Sequence, residues 1–142
     1  MPVNFQCPGA GVAEDDVNAL WNSVRRILNI GDDTVNVRCV SEDEIAGLNK
    51  QYRGKDKPTN VLTFSYGEGE HDVAISRDVV RRESVDAAID EKDYLAWVLV
   101  HAFLHTAGLD HEKSAEEAER TALLEEKILL ENGYNYWRAK DV

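Results

Sequence analysis

Residues 95–111 read LAWVLVHAFLHTAGLDH, and this stretch decides the architecture. Leu95, Ala96, Val98, Leu99, Val100, Phe103 and Leu104 leave the segment apolar apart from His101, His105 and Thr106, which predicts the most apolar helix of the chain, from about Lys92 to Ala107. It falls short of the roughly 20 residues that a bilayer span needs. Gly108 stands where a left-handed turn would end the helix and swing the chain back, which can deliver His111 to the side of the helix that carries His101 and His105.

The rest of the chain reads as elements arranged around that helix. Val17, Leu20, Trp21, Val24, Ile27 and Leu28 recur at helical spacing behind Glu14, Asp15 and Asp16, whose charges suit a helix N-terminus; Gly31 is expected to end this helix. Val35, Val37 and Cys39 alternate with Asn36 and Arg38 as a half-buried strand. Ser41 and Glu44 form a capping box that opens a short helix through Ile45, Leu48 and Tyr52, broken at Arg53-Gly54 and Pro58. NVLTFSY (60–66) and HDVAI (71–75) read as two strands of a hairpin around Gly67 and Gly69. Ser76 can cap a helix to about Ile89, Ser114 with Glu117 opens a last helix to about Leu130, and Val3–Cys7 is a further strand. The order β-α-β-α-β-β-α-α-α predicts one α+β domain over residues 1–142. It would hold a small four-stranded mixed sheet with helices packed on it and the histidine helix central. Strand order and oligomeric state are not legible.

Composition narrows the function. The chain has 142 residues, enough to build a core without a structural metal, so a metal here is expected to be functional. Its 27 acidic against 16 basic residues, net charge −11, argue against a general nucleic-acid coat protein. The exception is KQYRGKDK (50–57), a locally basic loop suited to a polyanion, whereas the stretch 110–131 is strongly acidic and reads as a solvated helix face. The N-terminus carries no secretory pattern, which predicts a cytoplasmic protein with no membrane partner. Cys7 and Cys39 lie far apart outside any C-x-x-C pair, and are expected to be buried free thiols.

Three of the four histidines fall within residues 101–111. A single histidine on an apolar helix is usually a satisfied core residue, but His101 and His105 at i and i+4 share one face, and burying both demands a partner. With His111 they supply three nitrogen ligands and leave a fourth position open, the pattern of a catalytic rather than a structural zinc. One Zn2+ per chain is expected. His71, beside Asp72, reads as an exposed strand residue rather than a fourth ligand. The spacing H-x-x-x-H-x-x-G-x-x-H is also that of metzincin peptidases, whose glutamate general base is here Ala102, which cannot take a proton.

Together, His101, Leu104, His105, Gly108, Asp110 and His111 resemble the H-G-x-L-H-L-x-G-[YF]-D-H signature of the YbeY-type endoribonucleases, or rRNA maturation factors. Tyr52, Arg53, Lys55, Asp56, Pro58, Thr59, Val61, Leu62 and Phe64 resemble that family's YRxKDxPTDVLSF segment, and the likeness spans about residues 33–131. Ala102, Thr106, Asn60 and His71 depart from the usual Gly, Leu, Asp and Gly. The resemblance implies a zinc-dependent, single-strand-specific endoribonuclease that matures the 3′ end of small-subunit ribosomal RNA and acts in ribosome quality control. Its partners would be RNA and the small ribosomal subunit or its proteins. It further implies that Arg53 clamps the scissile phosphate and that Lys55 and Lys57 extend the positive field, while Asp110 orients a ligand histidine, takes up a proton, or only caps the loop. The structural alternative for Arg53 is an ion pair with Asp56 or Glu44. Two other functions stay open: a minimal zinc peptidase, disfavoured by Ala102, and a ribosome-associated binding protein with a structural metal.

Overall fold

A computed structural model describes residues 3–67 and 69–137. Its elements are β1 (Val3–Gln6), α1 (Glu14–Leu28), β2 (Thr34–Val40), α2 (Glu42–Arg53), β3 (Val61–Ser65), β4 (Glu70–Ser76), α3 (Arg77–Ala87), α4 (Glu91–Thr106) and α5 (Ala115–Glu131). The sheet runs β1-β2-β4-β3, with β1–β2 and β2–β4 parallel and β3–β4 antiparallel. The expected α+β class, the mixed four-stranded sheet and the hairpin are all present. The two parallel pairings require helical crossovers, which α1 supplies between β1 and β2.

Helix ends follow local chemistry. Ser41, Ser76 and Ser114 each accept a backbone N–H three residues on, from Glu44, Val79 and Glu117. The first helix departs from expectation at its end. Asn29 at φ 55° provides the left-handed cap two residues before Gly31, because an asparagine tolerates that conformation and the Ile30 N–H can then reach the Arg25 carbonyl at 2.9 Å.

Alternation along the strands sorts the two faces. Val35, Val37, Val73 and Ile75 pack with Val3 against α1, α4 and α5, where Trp21 meets Phe103 edge-on at 5.2 Å between ring centroids. Leu62 and Ala74 face the other way, against Val40 and Ile45 beside α2. Leu95 to Val100, Ala102, Phe103 and Leu104 are all buried, so α4 is the central helix, touching α1, α3, α5 and β3.

Two expectations are overturned here. Cys7 and Cys39 are joined in a disulfide, with Cα atoms 4.9 Å apart. The cause is register: parallel pairing of Gln6 with Arg38 sets the next residues side by side across 32 positions of sequence, a proximity that spacing alone hides. In a reducing compartment the pair would stand as adjacent thiols. His71, expected to be exposed, is only 7% exposed. It points to the core face of β4, where Ser65 Oγ lies 2.8 Å from Nδ1 and Asp33 Oδ2 lies 2.8 Å from Nε2. Both ring nitrogens are thus partnered in a network that ties the hairpin to the loop before β2. Among the described residues no helix is long and apolar enough to cross a membrane.

Candidate active site

The last turns of α4 carry His101 and His105, and Gly108 at φ 104° turns the chain where the spacing predicts. Leu109, buried, anchors the returning loop, and Glu117 accepts the Asp110 N–H at 3.0 Å. This brings the His111 ring to 4.6 Å from that of His101, centroid to centroid. All three histidines line one cleft, with the rings of His101 and His111 in contact.

Each helix histidine is oriented from behind. His101 Nδ1 lies 2.6 Å from Glu125 Oε2, and Glu125 is 2% exposed. His105 Nδ1 lies 2.9 Å from Thr63 Oγ1 on β3. Holding Nδ1 leaves the Nε2 edge of each ring for another partner, and a carboxylate behind a histidine is the usual support of a metal ligand. Partial desolvation against the cleft wall pushes His105 below the ordinary histidine value although the residue is still open to solvent, with Asp110 opposing and the charges of His101 and His111 adding to the fall. A neutral imidazole is the form that binds metal. Among the described residues, no three His, Cys, Asp or Glu side chains already stand grouped closely enough to hold an ion.

Glu125 and Thr63 were not found by sequence reasoning. Glu125 shares the buried stripe of α5 with Thr121, Ile128 and Leu129, at helical spacing that could have revealed it. The glutamates around it made the whole segment read as solvated, which is wrong for this one residue. Were His101 to hold a zinc ion, Glu125→Gln, which alters the one contact behind that ring, should keep the fold and weaken zinc binding by about 10–100-fold. Competition against a chromophoric chelator measures this; parent affinity would contradict the role.

A cleft of about 430 Å3 is lined by Arg53, Thr59 to Thr63, Trp97, Val98, His101, Ala102, His105, Asp110, His111 and Glu112. Arg53 reaches it because α2 ends at Arg53 in a left-handed cap at Gly54, while the buried Asn49 donates from Nδ2 to the Lys57 carbonyl at 2.9 Å and holds the basic loop back. The ion-pair alternative fails: Glu44 pairs with Arg38 at 3.0 Å and Asp56 lies 3.9 Å from Lys50 Nζ. Lys55 and Lys57 are exposed and do not line this cleft. Asp110 does line it, but its Oδ1 accepts the Glu112 N–H at 3.0 Å, so it also caps the loop. Ala102, in place of a peptidase glutamate, faces the same space.

Fold and site together define a class: a small α+β domain whose central helix presents an H-x-x-x-H-x-x-G-x-x-H segment to an arginine-bearing cleft. The chain belongs to the YbeY family, since the family model described as Endoribonuclease YbeY matches residues 12–133, reaching upstream of the motif-bearing region. Proteins named Endoribonuclease YbeY are similar to it: that of Aromatoleum aromaticum is 42% identical over 107 residues, covering 73% of this chain and 69% of the relative. That of Geobacter sulfurreducens is 40% identical over 118 residues, covering 75% and 79%. The solution structure of TM1509 from Thermotoga maritima is similar at a TM-score of 0.61 and 32% identity, covering 97% of this chain and 93% of that one.

Proposed function

We propose that the chain is a metal-dependent endoribonuclease that cuts single-stranded RNA in the histidine cleft. The observation that carries the reading is that Arg53 and the three histidines, far apart in sequence, line one cleft. The donor set fits one zinc-class ion: His101, His105 and His111 would hold it, the first two already oriented through Nδ1. His111 sits on the loop after Gly108 and is exposed, so it can be drawn in toward the other two. When bound, the ion supplies Lewis-acid polarisation of a phosphoryl oxygen.

The protein's own residues do the rest. Arg53 offers a planar fork of donors to the scissile phosphate and stabilises charge as it grows on the oxygens. Asp110 and Glu112 are the carboxylates at the cleft, and so the acceptors that a departing proton would meet. Trp97 and Val98 form an apolar wall that limits water on one side. The family resemblance supports ribosomal RNA as the substrate, at the 3′ end of the small-subunit molecule, with that subunit as partner.

The test is to offer the zinc-loaded chain single-stranded RNA and casein in parallel. RNA should be cut and casein left intact, since Ala102 cannot act as a peptidase base. Zinc-dependent casein turnover at a rate comparable with RNA cleavage would reverse the reading. Whether the products end in cyclic or simple phosphate distinguishes attack by the substrate's own 2′-hydroxyl from attack by water.

A further inference from the structure

β3 is an edge strand, and its hydrogen-bond phase fixes which backbone groups it offers outward. The Tyr66 N–H bonds the Glu70 carbonyl at 3.0 Å and the Ser76 N–H bonds the Asn60 carbonyl at 3.0 Å. In the antiparallel register this makes the even residues, Leu62 and Phe64, face β4. The N–H and C=O groups of Val61, Thr63 and Ser65 therefore point to the free edge. Such an edge is normally blunted or covered, because unpaired backbone groups bind whatever extended chain arrives. This edge borders the functional cleft: Val61 and Thr63 line it together with Arg53, and Thr63 orients His105. Its far end is anchored, since Ser65 Oγ is held by His71, itself held by Asp33.

We propose that the free edge of β3 is the track for the RNA backbone, with the outward N–H groups of Val61, Thr63 and Ser65 donating to successive phosphates on one side of the scissile bond. The inference rests on the ribonuclease reading above and names the surface by which that site takes its substrate. Alternate N–H groups on a strand recur about every 6.8 Å, a repeat that suits an extended single strand and not the compressed backbone of a duplex. Backbone donors carry no base preference, so the track reads strandedness rather than sequence. Arg53 supplies positive charge in a chain of net charge −11, and rigid edge donors add anion binding without adding surface charge.

The experiment records backbone amide resonances of the zinc-loaded protein while a short single-stranded 2′-O-methyl oligoribonucleotide is added, with cleavage of the unmodified RNA measured alongside. The amides of Val61, Thr63 and Ser65 should move downfield while those of Leu62 and Phe64 stay. Ser65→Pro, which removes an outward N–H and no ladder bond, should weaken oligonucleotide binding by about tenfold more than Ser65→Ala, which removes the same hydroxyl and keeps the N–H. Unmoved Leu62 and Phe64 resonances in the proline variant establish that the ladder survives. Parent-like RNA cleavage without the alternating response overturns the track and leaves the ribonuclease reading standing, as does equal weakening in the two variants. The same alternation raised by an unstructured peptide and not by the oligonucleotide overturns it in favour of peptide docking. No cleavage by the parent protein would instead refute the function on which it rests.

Discussion

His105→Ala should yield a folded protein that neither retains zinc nor cuts RNA. The histidine is exposed at the end of α4, so its removal leaves the buried run from Leu95 to Leu104 untouched and costs one contact to Thr63. A single such hydrogen bond contributes about 1 kcal/mol, a fraction of the roughly 5–15 kcal/mol that holds a domain together. Helical content should therefore stay close to that of the parent, and so should the melting transition when both proteins are compared without metal. Metal affinity should fall by more than the 10–100-fold expected for an orienting partner such as Glu125, because a ligand itself is lost. A variant that cuts RNA at the parent rate would remove the histidine cleft from the chemistry. One that unfolds would assign the cluster to the architecture.

Arg53→Ala should act on a different quantity. Arg53 lines the cleft and is paired with neither Asp56 nor Glu44, so its removal disturbs no ion pair that holds α2. A phosphate oxygen gains charge as the bond breaks, so an aligned donor strengthens toward the transition state and kcat should fall by about 10²–10³ with a smaller change in KM. Arg53→Lys should recover only part of this, since lysine keeps the charge and loses the planar fork. Zinc content should be that of the parent in both variants. Parent-like kcat in the alanine variant would refute the clamp.

Much of this was legible in the chain itself. The helices and strands follow periods of 3.6 and 2 over long enough runs, and three serine caps stand where hydroxyls precede helical patterns. The histidine cluster was legible because helix and glycine turn are local: His101, His105 and His111 lie within one helical end and its exit loop. What spacing could not reveal depends on pairing between distant segments. The strand order β1-β2-β4-β3 sets Cys7 beside Cys39, and it turns His71 toward Asp33 and Ser65 rather than toward solvent. Arg53 reached the cleft through Asn49, a buried amide that holds the basic loop from 8 positions away. The same loop leaves Lys55 and Lys57 exposed outside the cleft. Glu125 was readable in principle from its place on the stripe of Thr121, Ile128 and Leu129, but a single acidic residue on a helix rich in glutamate carries little contrast.

On the proposed function, one zinc-class ion held by the three histidines makes this cleft an RNA-cleaving site. Stripping the protein with a chelator and returning zinc stepwise, while cleavage of a single-stranded RNA is followed, tests it most directly. Cleavage should vanish on stripping, with helical content largely kept, and should return along a titration that saturates at one ion per chain. Undiminished cleavage by the stripped protein, or activity that zinc does not restore, would contradict the account.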